Sequence, residues 1–464
     1  MGKETFEKGK GGRQMGNETF EKKKGGNQMG KRKFEREIGR REFLKASGVI
    51  GAGLGLTILT PRWSFSEKTG EPIHIGLLTP LTGVASVWGE EIAHAGELTV
   101  EMLNEQGGVL GREVKLHIQD DGTMPETAVP AAERLVKKFG CVMIIGNLMS
   151  NSRIAVNNQV AEPYKVVMNN FSFYEGSICG RYFFHMAAVP NQQLQKMVPW
   201  MAAKYGKRFY FIGNDYEWPR GSVAASKEAL ETVGGEVLGE EYNPLGTSDF
   251  SSIIMRIKKA KPDVLIPFEV GTDQIAFLKQ FTAAGLKDKI AVVTCGLDAS
   301  LNPGVEPDVR QGFYSCNTYF MSVPTKENEV FLERLWKKYG KDAILTNFGE
   351  GVIPCIKIWA KAVEKAGTVD PDEVVMAQEG GPGQDYGMSA VSPQGKVTVV
   401  KQHHHCIVQV YLTEWQADGS FKIVESWHDQ GPIIPARYGD CVASVAGGCR
   451  PLKSAEPCPK FPGE

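Results

Sequence analysis

The stretch that decides the fold runs from residue 73 to residue 119 and reads IHIGLLTPLTGVASVWGEEIAHAGELTVEMLNEQGGVLGREVKLHIQ. It begins with a β-rich run at 73–78, shows helical spacing of its apolar residues over 90–106, and alternates like a strand at 114–119. A strand, a helix and a second strand in this order are typical of a parallel sheet, because parallel neighbours need a crossover connection.

The same alternation of strands and helices continues along the chain. Helical and apolar segments follow one another over 125–169, and the pattern starts again at residue 191 and extends to residue 294. Its strands are apolar throughout, as expected when helices cover both faces of a sheet. After residue 384 a period of two, interrupted by turns, predicts an antiparallel β element. The sequence therefore predicts an α/β fold with two doubly wound parallel-sheet units in series.

The N-terminal 66 residues have a different character. Residues 1–38 repeat a polar MGKETFEK-like unit every 14 residues, and such a composition cannot bury a core. We interpret this segment as a disordered leader. Residues 39–66 place Arg40 and Arg41 before the uncharged run 46–59, which is too short to span a membrane. This pattern resembles a twin-arginine signal peptide, so we expect export to the periplasm by the twin-arginine machinery.

Charge and motifs exclude several classes of function. Residues 1–66 hold 15 of the 53 basic and 7 of the 54 acidic side chains, which leaves 38 and 47 and a net charge of −9 for the rest. A mildly acidic domain argues against a nucleic-acid partner. The chain contains no Gly-x-Ser-x-Gly, His-Glu-x-x-His or Gly-Lys-Ser/Thr motif. We therefore predict neither a catalytic site nor a cofactor.

Histidines and cysteines suggest two further features. Three consecutive histidines occupy 403–405, but on a strand only two of them share a face, which does not make a closed metal site. We predict no metal there. Cys441, Cys449 and Cys458 cluster in a Pro- and Gly-rich tail. In an oxidising compartment we expect two of these three to form a disulfide.

Polar and aromatic residues follow the predicted strands of the first unit. Trp88 follows the turn after the first strand and is a candidate wall for a planar ligand. Ser150 stands where a helix begins, and Asn170 and Ser172 follow an apolar strand directly. Ligands of open parallel sheets bind beyond the carboxyl ends of the strands, so these four residues are candidate ligand contacts. For Trp88, packing in the core is the alternative.

The second unit offers three more candidates. Tyr216 follows the run 208–212, and Glu269 and Asp273 follow the run 264–268. A carboxylate at this edge of the sheet suits an ammonium group. For Asp273 the alternative is a structural place at a helix N-terminus, facing the helix dipole.

Several segments in order resemble one family. They are PLTG with WGEEIAHAGELTVEMLNEQGGVLGREVKL, VPNQQ, GNDYEWPR, GGEVLGEEYNPLGTSDFSSIIMRIKKAKPDV and PQGKVTVVKQHHH. The chain from 73 to 427 resembles periplasmic binding proteins for branched-chain amino acids, and within them the urea- and short-chain-amide-binding branch. The resemblance implies two lobes joined by three crossovers, a small ligand held between them, and delivery of that ligand to the membrane permease subunits of an ABC importer.

The resemblance also implies domain limits. The first lobe comprises 71–189 and 320–395, and the second comprises 190–319 and 396–428. The tail, 429–464, falls outside the resemblance.

By position, the resemblance implies roles for individual residues. Ser150, Ser172 and Tyr216 match polar or aromatic contacts of the amide binders, whereas Trp88 and Asp273 match contacts of the leucine-type binders. Three positions depart from the amide branch, which has Tyr at the position of Asn170, another aromatic residue at that of Leu148 and an apolar residue at that of Glu269.

The predicted function is that of an exported, non-enzymatic solute-binding component that captures an amide, a urea-like compound or an amino acid. A ligand-sensing regulator of amide metabolism is the alternative, and the export signal argues against it. A hydrolase of the same amides is a further alternative, although no activated nucleophile is visible.

Overall fold

Two parallel sheets organise the part of the chain that the computed structural model describes, which is residues 70–441, 443 and 449–450. The strands are β1 (Ile73–Thr79), β2 (Val114–Asp120), β3 (Met143–Ile145), β4 (Val167–Asn170), β5 (Phe183–His185), β6 (Arg208–Asn214), β7 (Glu236–Asn243), β8 (Val264–Phe268), β9 (Ala291–Thr294), β10 (Tyr314–Asn317), β11 (Tyr386–Ser392), β12 (Gly395–Val400), β13 (Cys406–Trp415), β14 (Phe421–Gln430), β15 (Asp440–Cys441) and β16 (Cys449–Arg450). The helices are α1 (Gly89–Glu105), α2 (Pro125–Lys137), α3 (Ser150–Val156), α4 (Glu162–Tyr164), α5 (Pro190–Tyr205), α6 (Glu217–Glu231), α7 (Ser251–Ala260), α8 (Thr272–Ala283), α9 (Pro307–Arg310), α10 (Lys326–Tyr339), α11 (Asn347–Ala366) and α12 (Pro371–Gln378).

The first lobe is built on five parallel strands in the order β2-β1-β3-β4-β5. Because side chains alternate along a strand, Ile75 and Leu77 of β1 enter the core that includes α1, whereas Leu78 enters a second core beneath α2. Both faces of this sheet are therefore buried, which explains why its strands are apolar without interruption.

The second lobe repeats this arrangement. Its parallel strands have the order β7-β6-β8-β9-β10, so both lobes reverse strand order next to their first strand. Antiparallel strands β11 to β14 extend the second sheet beyond β10 through β13. The predicted α/β fold of two doubly wound units is confirmed, and so is the antiparallel element after residue 384.

Three crossovers connect the lobes. The chain passes to the second lobe after β5, returns after β10 so that α10 and α11 pack against α1, and passes over again after α12. The two lobes also meet at an isolated bridge between His185 and His405. Strand β11 lies in a segment assigned above to the first lobe, yet it pairs with β12, so the second sheet continues across the predicted limit at residue 395.

Some elements were not anticipated from the sequence. Strands β5 and β10 have only three and four residues and are fully buried, so they carry no alternation that marks a strand. The leader and the signal peptide, 1–66, lie outside the described residues. Among the helices that the structure describes, none is long and apolar enough to cross a membrane.

The structure contains a disulfide of the tail that the sequence did not predict. Cys441 bonds to Cys179, in the loop between β4 and β5, rather than to another cysteine of the tail. The reason is that the chain after β14 passes Asn191 of α5, which binds it in the second lobe, and then reaches the first lobe at the loop around Gly176. Cys458 lies outside the described residues.

Candidate functional site

A small cavity lies between the two lobes. Its walls come from both lobes and consist of Trp88, Leu148, Ser150, Ser172, Phe173, Tyr216, Trp218, Glu269, Val270, Gly296 and Phe348. All but Phe348 follow the carboxyl end of a parallel strand. The cavity lies at the points where strand order reverses, after β1 and β3 in one lobe and after β6 and β8 in the other, which is where open α/β sheets bind ligands.

Five aromatic rings form a continuous wall of this cavity. The ring of Phe348 lies 5.1 Å from that of Trp88 and 5.2 Å from that of Phe173, measured between centroids. Phe173 of the first lobe then contacts Trp218 of the second at 5.4 Å, and Tyr216 follows at 6.3 Å from Trp218. Rings at these distances pack favourably, and their faces offer apolar and planar surface to a ligand.

Contacts between the lobes close the cavity. The indole Nε1 of Trp88 donates to Asp298 Oδ2 at 2.8 Å, and both side chains are buried. Gly271 of the second lobe comes so close to the first that an added Cβ would lie 2.2 Å from the carbonyl oxygen of Val84. The structure therefore corresponds to a closed arrangement of the lobes.

A buried charged network supports the floor of the cavity. Ser150 does not cap its helix; its hydroxyl donates to Glu175 Oε2 at 2.7 Å and lies 3.3 Å from a guanidinium nitrogen of Arg153. Arg153 is fully buried and also donates to the carbonyl oxygens of Asn147 and Leu148. Burial raises the pKa of Glu175, and the charge of Arg153 opposes that rise.

Glu269 is the acidic side chain among the lining residues, and it is fully buried. Its Oε2 accepts a hydrogen bond from Asn243 Nδ2 at 3.1 Å, whereas its Oε1 has no partner among the described residues. Burial raises the pKa of Glu269 to about 8; Asp273 adds to the rise and the bond from Asn243 opposes it. A buried carboxyl oxygen without a partner is costly, so this atom is available to a ligand.

Two of the candidate residues lie outside the cavity. The side-chain amide of Asn170 is occupied by the carbonyl oxygen of Ser172 and by His185 Nδ1, at 2.8 and 2.9 Å. Asp273 Oδ2 accepts from Asn214 Nδ2 and from the backbone nitrogens of Gly246 and Thr247. Asp273 thus fixes the loop after β7 at the start of α8. This role is close to the alternative given above, a structural place at a helix N-terminus.

The other five candidates, Trp88, Ser150, Ser172, Tyr216 and Glu269, meet in the cavity. Sequence reasoning did not select six lining residues: Leu148, Phe173, Trp218, Val270, Gly296 and Phe348. Phe173 is adjacent to Ser172, and Trp218 lies two residues after Tyr216. Alternation of side chains beyond the strand end could therefore have predicted that they line the cavity. Phe348 begins α11 after a crossover, and no local pattern marks it.

Two of the three consecutive histidines, His404 and His405, form hydrogen bonds at the junction of the lobes. His404 is buried and lies 3.0 Å from Glu379 Oε1, with its other ring nitrogen 3.1 Å from the carbonyl oxygen of Phe183. His405 Nε2 lies 2.5 Å from the hydroxyl of Tyr174. Burial lowers the pKa of both imidazoles, and both act here as hydrogen-bonding groups.

Comparison with known proteins identifies the family. The model of the family described as "Periplasmic binding protein" matches residues 72–420. The chain belongs to this family.

One relative is named as a binding protein for branched-chain amino acids. The Leu/Ile/Val-binding protein BraC3 of Rhizobium johnstonii is 29% identical over 209 residues, which is 44% of this chain and 56% of that protein. The chain therefore spans little more than half the length of this relative.

Solved structures share the fold. A solute-binding protein of an ABC transporter from Rhodopseudomonas palustris HaA2, in complex with p-hydroxybenzoic acid, superposes with a TM-score of 0.72 at 23% identity, over 79% of this chain and 100% of that one. An amino acid ABC transporter substrate-binding protein from Pseudomonas fluorescens Pf-5 superposes with a TM-score of 0.69 at 22% identity, over 79% and 98%. Both are named as binding components of transporters.

The buried network yields a prediction about stability. Arg153→Leu leaves Glu175 without its countercharge and should lower the free energy of unfolding by about 3–5 kcal/mol. Arg153→Leu with Glu175→Leu should be destabilised less than the sum of the two single variants, because neither charge is then left unpaired. Thermal and urea unfolding measure these differences. A double variant that loses at least the sum would show that the two charges do not stabilise each other.

Proposed function

We propose that the protein is the solute-binding component of an ABC importer that captures a small polar solute between its lobes and passes it to the permease. The solute belongs to the amides, urea-like compounds or amino acids. The observation that carries this proposal is the cavity between the lobes, lined from both sides by residues at the strand ends. A ligand that touches both lobes stabilises the closed arrangement by its differential contacts.

The volume and the lining support a small ligand. The cavity is small in this closed arrangement, and residues of both lobes enclose it. Burial raises the pKa of Tyr216 well above its ordinary value, so its hydroxyl is uncharged and both donates and accepts hydrogen bonds. Ser172 adds a second hydroxyl from the other lobe. These two groups give one hydrogen-bonding contact from each lobe, which suits an amide or urea group.

We further propose that the twin-arginine machinery exports the chain to the periplasm, on the basis of Arg40, Arg41 and the uncharged run that follows. The alternative function, a ligand-sensing regulator of amide metabolism, requires a protein that stays in the cytosol. Recovery of the native protein in the cytosolic fraction would favour that alternative.

A ligand screen with variants tests the binding function. Amides, ureas, amino acids and benzoates are compared by the rise in melting temperature that each causes, because binding to the native state stabilises it. For the tightest ligand, Tyr216→Ala should weaken binding about 10-fold or more, because a buried aromatic contact is lost. Ser172→Ala should weaken it less.

The control is Tyr386→Ala, which removes a tyrosine that is 58% exposed on β11 and should leave the affinity unchanged. Unchanged affinity in both Tyr216→Ala and Ser172→Ala would contradict the proposed site. A screen in which no compound raises the melting temperature would contradict the proposed function itself.

A further inference from the structure

The lining of the cavity includes one acidic side chain and no basic one. Glu269 contributes a carboxyl group, and none of the lining residues is a lysine, an arginine or a histidine. Arg153 is near, but its guanidinium group lies behind Ser150 and donates to two backbone carbonyls and to that hydroxyl. Glu175 balances its charge. A negatively charged ligand therefore finds no free cationic partner among the described residues around the cavity.

The aromatic wall and the free carboxyl oxygen complement each other. The rings of Trp88, Phe173, Trp218 and Phe348 line the cavity. The face of an aromatic ring attracts a cation through the ring quadrupole. Among the described residues, no lysine or arginine side chain is stacked on these rings. Glu269 Oε1 is fully buried at the same cavity and has no hydrogen-bond partner. A carboxylate beside aromatic faces is the environment that a desolvated organic cation needs.

We propose that the ligand is a small organic cation of the amidine, guanidine or amine class, held by Glu269 Oε1 and the aromatic wall formed by Trp88, Phe173, Tyr216, Trp218 and Phe348. This inference rests on the proposed transport function, and among small polar solutes it favours a cationic analogue of an amide or a urea over the neutral compound. An amidinium or guanidinium group has the planar shape of an amide or urea group and adds a positive charge. The N–H donors of such a cation pair with the free carboxylate oxygen.

The ionisation of Glu269 sets the pH dependence of such binding. In the empty cavity the pKa of Glu269 is raised to about 8, so below that pH a proton must leave when the cation binds. The affinity should therefore rise with pH, by at most tenfold per unit, and level off above about pH 8. Asp273 from α8 and the hydroxyl of Tyr216 from the segment after β6 also face this carboxyl group.

Isosteric ligands test the proposed charge directly. Benzamidine, benzamide and benzoate have nearly the same shape and carry charges of +1, 0 and −1, and acetamidine, acetamide and acetate repeat the series at a smaller size. Calorimetric titration of the wild-type protein should show that an amidine binds about tenfold or more tightly than the matching amide and acid. Glu269→Gln should remove most of this preference and flatten the pH dependence. Glu231→Gln, on the exposed end of α6, is the matched control.

Each outcome decides the matter. An amide or acid that binds as tightly as its matching amidine overturns the proposal, as does failure of both amidines to bind. The proposed function survives either result if another compound of the screen binds in a manner sensitive to Tyr216→Ala. The wild-type ranking does not depend on any variant, so it decides the question even if Glu269→Gln is unstable.

The segment 431–441 forms a strap that ties the two lobes together outside the three crossovers. It leaves β14 in the second lobe, and Asn191 of α5 binds it at Gly431 and at Ile433. The disulfide to Cys179 then fixes its end to the first lobe. Between these anchors, Tyr438 donates to Glu217 of α6 at 2.8 Å. Pro435 lies against Gly176, where an added Cβ would come within 2.9 Å of its ring.

We infer that this strap limits how far the lobes separate. Eight residue-to-residue steps lead from Ile433, the last contact with Asn191, to Cys441, and they span at most about 29 Å when fully extended. The strap therefore allows the cleft to open but restricts the opened state.

Small-angle scattering of the ligand-free protein tests the strap. Reduction of the folded wild-type protein, or the variant Cys441→Ser, should increase the radius of gyration, because the cleft opens further. Reductant should leave the radius of gyration of Cys441→Ser unchanged, which controls for cysteines elsewhere. An unchanged radius of gyration of the wild-type protein on reduction would overturn the inference, and this measurement needs no variant to fold.

Discussion

The parallel order of the strands in both sheets is the constraint on which the site depends. In each lobe all carboxyl ends of the parallel strands emerge at one edge, and strand order reverses between β1 and β3 and between β6 and β8. The loops at a reversal diverge to opposite faces of the sheet and leave a crevice between them. Because the two lobes place these edges opposite one another, ten of the lining residues come from strand ends and only Phe348 does not.

The chemistry of the cavity follows from what surrounds it. Burial makes each polar group depend on a specific partner, and most groups have one: Ser150 with Glu175, Asp298 with Trp88, Asp273 with the loop after β7. Glu269 Oε1 is the exception at the cavity itself. A binding site differs from a folding core in this respect, because its unpaired group is satisfied only when the ligand is present.

The sequence predicted the class of fold and part of the site. The elements and residues that it did not predict have physical reasons in common. Long elements such as α1 and β1 contain several helical turns or several alternations of the pattern. Strand β5 has only three residues, all buried, and therefore shows no alternation. Tyr216 and Glu269 lie within two residues of a strand end, and Ser150 begins the helix that follows β3, so their place in the sequence predicted all three. The sequence did not show that Asn170 and Asp273 lie outside the cavity. Their positions depend on hydrogen-bond partners that are distant in sequence, His185 for Asn170 and the backbone nitrogen of Gly246 for Asp273. The bond between Cys441 and Cys179, 262 residues apart, likewise has no local signal.

Amide hydrogen exchange with and without the tightest ligand of the screen tests the central claim, that one small solute is held by both lobes at once. The account predicts that ligand slows exchange in the segments around Ser150 and Phe173 of the first lobe. The segments around Tyr216 and Glu269 of the second should be protected over the same range of ligand concentration. Protection confined to one lobe would contradict it.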